Sequence, residues 1–143
     1  MNLNIKNKSI HILLADDDID DCFFFQKAIN EISSSIKLTI VYNGEQLIDY
    51  LTNHIENLPH ILFLDLSMPK KTGFECLSEI KENSKFNTMP VIMFSTSYTL
   101  DSNYEKNMID MLSSIGAQEY IRKPGDYIQL KKVISEALVK FIP

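Results

Sequence analysis

The chain has 143 residues, of which 45% are hydrophobic, so it can bury the core of about one domain. A net charge of −5, with no Lys/Arg cluster longer than a pair, argues against nucleic-acid binding. No apolar run approaches the roughly 20 residues that span a bilayer, and the amino-terminal segment lacks the apolar region of a signal peptide. We therefore expect a cytoplasmic protein that binds neither nucleic acid nor membrane.

Short apolar runs alternate with amphipathic stretches along the chain. Continuous apolar runs favour buried strands, whereas apolar residues spaced by three and four positions favour helices. The predicted strands are Ile10–Ala15, Ile36–Tyr42, Ile61–Leu64, Val91–Phe94 and Glu119–Ile121. The predicted helices carry apolar stripes within Phe25–Ile32, Leu47–Leu51, Phe74–Ile80, Tyr104–Ile115 and Leu130–Phe141.

This alternation predicts an α/β fold, a doubly wound five-stranded parallel sheet with helices on both faces. The second run alternates apolar and polar residues like an edge strand, whereas the first and third are nearly continuously apolar like central strands. The flavodoxin-like order 2-1-3-4-5 follows. The first and fifth helices would cover one face and the other three the opposite face, which separates Cys22 from Cys76 and excludes a disulfide between them.

Turn and cap residues agree with these boundaries. Asp101 and Asp126 precede helical stretches and suit N-caps. Gly116 suits the position just after a helix, and Gly44 and Gly73 lie near helix starts.

Side chains able to do chemistry follow four of the predicted strands. Asp16 and Asp17 follow the first, Asp65 ends the third, Ser95 ends the fourth and Lys123 follows the fifth. In an open parallel sheet the ligand site lies beyond the carboxyl ends of the strands, so these groups should meet at one rim. Clustered carboxylates there predict a Mg²⁺ site, since this cation prefers oxygen ligands and phosphate. A carboxylate such as Asp65 can then be the nucleophile in phosphoryl transfer.

The third aspartate, Asp18, is interpreted differently. Acidic residues at a helix start are favoured by the helix dipole. Asp18 is therefore assigned to the beginning of the first helix rather than to the metal site.

Four sequence blocks at these strand ends resemble one family. The segments "ILLADDD", "ILFLDLSMPKKTG", "MPVIMFSTS" and "YIRKP" occur in this order. Together they resemble the receiver domain of two-component response regulators. The resemblance covers essentially the whole chain, residues 1–143.

The resemblance implies roles for individual residues. Asp65 matches the phosphoacceptor, Lys123 the family's lysine, and Ser95 the switch hydroxyl, with Thr96 as the alternative. The implied cofactor is Mg²⁺, with Mn²⁺ as a substitute. Its ligands would be Asp16, Asp17, Asp65 and the backbone carbonyl of Ser67. Tyr120 matches the rotating aromatic residue. The loop that shapes the site matches Met68, Pro69 and Gly73, with Gly73 expected in a backbone conformation costly to other residues.

The function implied by the resemblance is that of a stand-alone response regulator and not of an enzyme. A sensor histidine kinase or a histidine phosphotransfer protein would donate the phosphoryl group. Ser95 would then move toward the phosphoryl group and Tyr120 would turn inward. The face formed by the fourth helix, fifth strand and fifth helix would bind a downstream protein or a second copy. Because the sequence ends just after the fifth helix, no output domain is expected.

One departure and one exposed segment concern the partner. Ser95 and Lys123 lie 28 positions apart (123 − 95), longer than is usual in the family, with the excess around "SYTLDSNYEKN". A long connection here resembles single-domain regulators that partner bacterial phytochromes. The "CFFFQ" segment is interpreted as core plus one exposed phenylalanine, Phe23 or Phe24, which can belong to a docking surface.

Two other functions compete with this interpretation. Haloacid-dehalogenase-type phosphatases also use an aspartate with Mg²⁺, but their nucleophile follows the first strand in a DxDx(T/V) pattern. Here Asp20 occupies the place of the Thr or Val. A receiver-like interaction module that is never phosphorylated is the second alternative.

Overall fold

The computed structural model describes residues 9–96 and 102–142. Strands and helices alternate throughout these residues, and each predicted strand agrees with an observed one to within one residue. The elements are β1 (Ile10–Ala15), α1 (Ile19–Ile32), β2 (Ile36–Val41), α2 (Gly44–Asn53), β3 (Ile61–Leu64), α3 (Gly73–Glu82), β4 (Val91–Ser95), α4 (Ser102–Ile115), β5 (Glu119–Arg122) and α5 (Tyr127–Phe141). A short 3₁₀ turn, Ile55–Asn57, follows α2.

The five strands form one parallel sheet in the order β2-β1-β3-β4-β5, which confirms the predicted flavodoxin-like topology. The register aligns Ala15 at the end of β1 with Leu64 at the end of β3. Ser95 at the end of β4 is aligned with Arg122 at the end of β5. The residues that follow these strands therefore lie along one edge of the sheet.

Two hydrophobic cores cover the two faces of the sheet. Side chains of α1 and α5 pack on one face, and those of α2, α3 and α4 pack on the other, as predicted. Phe25, Phe63 and Phe94 meet edge-to-face in the first core, with ring centroids 5.0–5.8 Å apart. Cys22 and Cys76 are buried free thiols in different cores, so the sheet keeps them apart.

Helix ends follow their capping residues. The side chain of Asp18 accepts from the backbone N–H of Asp21 at 3.0 Å and caps α1. Asp126 caps α5 in the same way. Gly116 follows α4 with φ +129°, a conformation that favours glycine. The proposed cap Asp101 lies outside the described residues.

Two apolar segments are more exposed than the sequence pattern predicts. Phe23 and Phe24 are 61% and 44% exposed, so the prediction of only one exposed phenylalanine was wrong. Within the α4 stripe, Tyr104 and Met111 are exposed while Leu112 is fully buried. The helix α4 lies over the β4–β5 side of the sheet, and only a narrow strip of its surface reaches the core.

The amino end of β4 is held by side chains from two other elements. The ammonium of Lys81 on α3 donates to the carbonyls of Asn87 and Met89, at 3.2 and 3.0 Å. The side-chain carbonyl of Gln118, just before β5, accepts from the backbone N–H of Val91 at 2.7 Å. Backbone groups at this end of the strand are thus paired by side chains where the ladder stops.

Candidate functional site

The rim of the sheet at its carboxyl ends is built around Asp65. Its backbone N–H donates to the carbonyl of Ala15 at 3.0 Å, which continues the β1–β3 pairing by one residue. The residue is only 6% exposed. Position and burial of this carboxylate therefore follow from the sheet itself.

A close approach of α3 to the backbone of Asp65 explains the glycine at the start of that helix. A Cβ on Gly73 would lie 2.0 Å from the carbonyl oxygen of Asp65. The φ of Gly73 is not positive, so the prediction of a conformation costly to other residues was wrong. In this loop it is Lys70 that has a positive φ, of 70°. Gly73 is required for space, not for conformation.

Three carboxylates converge at this rim. Oxygens of Asp16, Asp17 and Asp65 all lie within 4.8 Å of one another. Asp16 is buried, and one of its oxygens accepts from the backbone N–H of Asp18 at 2.9 Å. Burial raises the pKa of Asp16 to about 6, outweighing the opposite effect of its bonds to Lys123 and Asp18. The Asp16 carboxylate is thus ionised near neutral pH, but its hydrogen bonds to Lys123 and Asp18 do not fully offset the cost of burying its charge.

Lys123 brings the positive charge of the site. Its Nζ lies 2.7 Å from Asp16, 2.9 Å from Asp21 and 3.6 Å from Asp65, and its side chain is 10% exposed. Burial alone would lower the pKa of Lys123, but the bonds to Asp16 and Asp21 raise it above its usual range. The ammonium therefore stays charged throughout the ordinary pH range.

The hydroxyl of Ser95 already contacts Asp65. Its Oγ donates to Asp65 Oδ1 at 2.9 Å, and the residue is 2% exposed. The alternative hydroxyl, that of Thr96, belongs to an exposed residue at the mouth of the site. The geometry therefore favours Ser95 over Thr96 as the hydroxyl that faces Asp65.

Tyr120 on β5 is turned inward. It packs against the core under α2, α3 and α4, and its hydroxyl is buried without a hydrogen-bond partner in the described part of the chain. Burial raises the pKa of Tyr120 above its usual range. The hydroxyl of Tyr120 is thus enclosed by the protein, while the residue as a whole is half-buried.

The loop after Asp65 closes the other side of the site. Met68 is buried in the core under α2 and α3, whereas Ser67 and Pro69 are exposed. The backbone N–H of Ser67 approaches Asp65 Oδ1 at 3.4 Å. The backbone N–H of Gly73 donates to the carbonyl of Leu66 at 3.0 Å, which folds the loop back toward the strand.

Asp21 is a member of the site that the sequence did not reveal. No role is predicted for it from the sequence, yet its carboxylate bonds Lys123. A signal is present in its position, because Asp21 lies in the first turn of α1, directly after the rim residues Asp16 and Asp17.

The charges of the site suit a divalent cation and an incoming phosphate. Three carboxylates lie within 3.6 Å of the Lys123 ammonium, and that of Asp17 lies within 4.8 Å of two of them. An added cation is therefore favoured electrostatically, and the carboxylate oxygens are hard ligands. Ser95 and Lys123 supply a hydroxyl and an ammonium close to Asp65, the donors that phosphoryl oxygens require.

Within the described residues, no helix has the length and apolar character needed to cross a membrane.

Comparison with known proteins gives a consistent result. Residues 12–135 match the family model described as response regulator receiver domain. The two-component response regulator ARR5 of Arabidopsis thaliana is 31% identical over 142 residues, which cover 93% of this chain and 72% of the plant protein.

Two solved structures resemble the fold closely. The phosphorylated cyanobacterial phytochrome response regulator RcpA superposes with a TM-score of 0.81 at 25% identity, covering 94% of this chain and 95% of RcpA. The Mn²⁺-bound form of response regulator Rcp1 superposes with a TM-score of 0.76 at 25% identity, covering 90% and 91%.

Proposed function

The chain belongs to the response regulator receiver family, and from this premise we propose that its receiver domain, residues 1–143, accepts a phosphoryl group on Asp65. Receiver domains are signalling domains rather than classical enzymes. The observation that carries the proposal is the convergence on Asp65 of two acidic side chains, a hydroxyl at 2.9 Å and an ammonium at 3.6 Å.

Asp16, Asp17 and Asp65 are the proposed ligands of a Mg²⁺ ion, with Mn²⁺ as a substitute and the Ser67 carbonyl as a fourth ligand. The mutual distances of the three carboxylates, which all lie within 4.8 Å of one another, support this assignment. When bound, the ion neutralises negative charge on the carboxylates and on the phosphoryl oxygens. The Mn²⁺-bound structure of Rcp1 is consistent with a divalent ion in such a site.

In the proposed reaction an oxygen of the Asp65 carboxylate forms a bond to phosphorus. The bond between phosphorus and the donor's histidine nitrogen breaks, and the electron pair of that bond stays on the imidazole, which then takes up a proton. Lys123 and Ser95 bind phosphoryl oxygens and stabilise their charge during transfer. The product is an acyl phosphate on Asp65.

The response to phosphorylation is proposed to be a shift between packing states. In this structure the Ser95 hydroxyl bonds Asp65 at 2.9 Å and the Tyr120 hydroxyl is buried. In the proposed switched arrangement Ser95 has moved toward the phosphoryl group and Tyr120 has turned inward. Transfer of the Ser95 hydrogen bond to a phosphoryl oxygen then stabilises that arrangement, because a modification shifts populations only through differential stabilisation.

The proposed partners follow from the family and from the exposed surfaces. The donor is a histidine kinase or a histidine phosphotransfer protein. The output surface is the face formed by α4, β5 and α5, which binds a downstream protein or a second copy. The similarity to RcpA supports a phytochrome-type kinase as one candidate donor.

The proposal is tested by incubating the protein with acetyl phosphate and Mg²⁺ and measuring its intact mass. We expect one phosphoryl adduct on the wild-type chain and none on Asp65→Asn. Asp49→Asn, on the exposed face of α2, makes the same chemical change away from the rim and should keep the adduct.

Absence of an adduct on the wild-type chain would refute the proposal and favour an unphosphorylated interaction module. Continuous hydrolysis of phosphate esters, measured as released phosphate, would favour a phosphatase instead.

A further inference from the structure

Lys123 is held more tightly by α1 than by the acceptor carboxylate. Its Nζ makes hydrogen bonds of 2.7 Å to Asp16 and 2.9 Å to Asp21, while Asp65 lies at 3.6 Å. The two shorter contacts come from residues just before α1 and in its first turn. In this structure the ammonium of Lys123 therefore lies closer to the two carboxylates at the start of α1 than to the carboxylate of Asp65.

Asp21 is neither the proposed phosphoacceptor nor a proposed metal ligand. It lies outside the group of three clustered carboxylates, and its side chain is 41% exposed, whereas that of Lys123 is 10% exposed. Its backbone is held at the start of α1, because its N–H is bonded to the side chain of Asp18 at 3.0 Å. The carboxylate of Asp21 therefore extends from a capped helix start to a buried ammonium, although it is not one of the proposed metal ligands.

We propose that Asp21 is a positioning residue. Its carboxylate holds the ammonium of Lys123 near α1 and competes for this ammonium with the phosphoryl group on Asp65. The proposal rests on the assignment of Asp65 as phosphoacceptor. An ammonium has three donors, and a charge-assisted bond to Asp21 occupies one of them and orients the other two. Asp21 thereby slows phosphoryl transfer, which depends on the charge that Lys123 presents to the phosphoryl oxygens.

The first measurement is the initial rate of adduct formation with acetyl phosphate and Mg²⁺, followed by intact mass. We expect Asp21→Asn to raise this rate roughly three- to tenfold, the effect of removing one charge close to the reacting group in a partly solvated site. Asp21→Ala, which also removes the hydrogen-bond acceptor, should raise it at least as much.

Asp20→Asn is the matched control. Asp20 lies next to Asp21 in the same helical turn and is exposed, and its side chain makes no hydrogen bond or ion pair in the described part of the chain. It carries the same charge change near the rim without contact to Lys123. Its rate should stay within about twofold of the wild type, since exposed charges are strongly screened.

The second measurement reports on Lys123 directly and needs neither metal nor phosphoryl donor. The ammonium signal of Lys123 is observed by ¹H–¹⁵N NMR in Mg²⁺-free buffer and assigned by its absence in Lys123→Met. We expect Asp21→Asn and Asp21→Ala to shift this signal and to increase its exchange with water. Asp20→Asn should leave it unchanged.

Each outcome decides the proposal. An unshifted Lys123 signal in Asp21→Ala would show that Asp21 does not hold the ammonium. A shifted signal with an unchanged or slower phosphorylation rate would show that the contact does not compete with the phosphoryl group. If the wild-type chain forms no adduct, the proposed function fails, while the NMR comparison still decides whether Asp21 positions Lys123.

Discussion

Replacement of Gly73 by alanine should destabilise the protein and displace its acceptor residue. The added Cβ would lie 2.0 Å from the carbonyl oxygen of Asp65, whereas real Cβ atoms essentially never come within 3.0 Å of a neighbouring atom. Either α3 or the end of β3 must therefore move by about 1 Å, the difference between these two distances. Both groups are backbone, so no flexible side chain can absorb the shift.

The cost of this displacement can be set against known overpacking effects. Forcing an extra methyl into a packed site costs about 1–3 kcal/mol, and loss of glycine's freedom in the unfolded chain returns about 0.4–1 kcal/mol. We expect a net loss of about 1.3 kcal/mol in the free energy of unfolding, the difference between the middles of these two ranges. This corresponds to roughly 3–5 °C in melting temperature for a chain of this length. The rate of phosphorylation should fall as well, because Asp65 moves relative to Lys123.

Urea denaturation followed by circular dichroism measures the loss of stability. Gly125→Ala is the matched control, since a Cβ at Gly125 would meet nothing within 4 Å. It should leave the unfolding midpoint unchanged or slightly raised. Equal midpoints for Gly73→Ala and Gly125→Ala would refute the steric argument.

Three further predictions concern other parts of the chain. Burial, aided by the charge of Lys37, lowers the pKa of His11 below its usual 6.5. As the pH falls, the unfolded chain therefore takes up a proton on His11 before the folded chain does. The free energy of unfolding, measured by urea denaturation at each pH, should fall more steeply below pH 6.5 in the wild type than in His11→Gln. An equal pH dependence of the two proteins would contradict this. Cys76 is fully buried and burial raises its pKa to about 12, so it should react with iodoacetamide at neutral pH only after unfolding, as peptide mass mapping would show. Asp126→Ala removes the cap that accepts from the backbone N–H of Gln129 at 2.9 Å and should cost about 1 kcal/mol in urea denaturation, whereas Asp126→Asn should cost less.

The sheet could be predicted from the sequence because its signals are local and repeated. Strands buried on both faces are continuously apolar, so Ile10–Ala15 and Ile61–Leu64 begin and end where their apolar runs do. The rim followed from topology alone, because parallel strands place their carboxyl ends together. Asp16, Asp65 and Lys123 could thus be brought together without any knowledge of side-chain positions.

Contacts that depend on the exact approach of two elements could not be predicted. The space requirement at Gly73 arises where α3 meets the end of β3, a distance that no sequence pattern encodes. The bond between Asp21 and Lys123 depends on side-chain conformations across 102 positions of sequence. The exposure of Tyr104 depends on how α4 lies over the sheet, which its apolar spacing did not reveal.

The hydrogen bonds made by Lys81 and Gln118 have a consequence for signalling. They hold the amino ends of β4 and β5 in place, whereas Ser95 and Lys123 lie at the opposite, carboxyl ends. We expect any displacement of these two strands to be smallest at their amino ends and to increase toward the rim. A small movement of Ser95 would then swing the start of α4 while the far end of that helix stays in place.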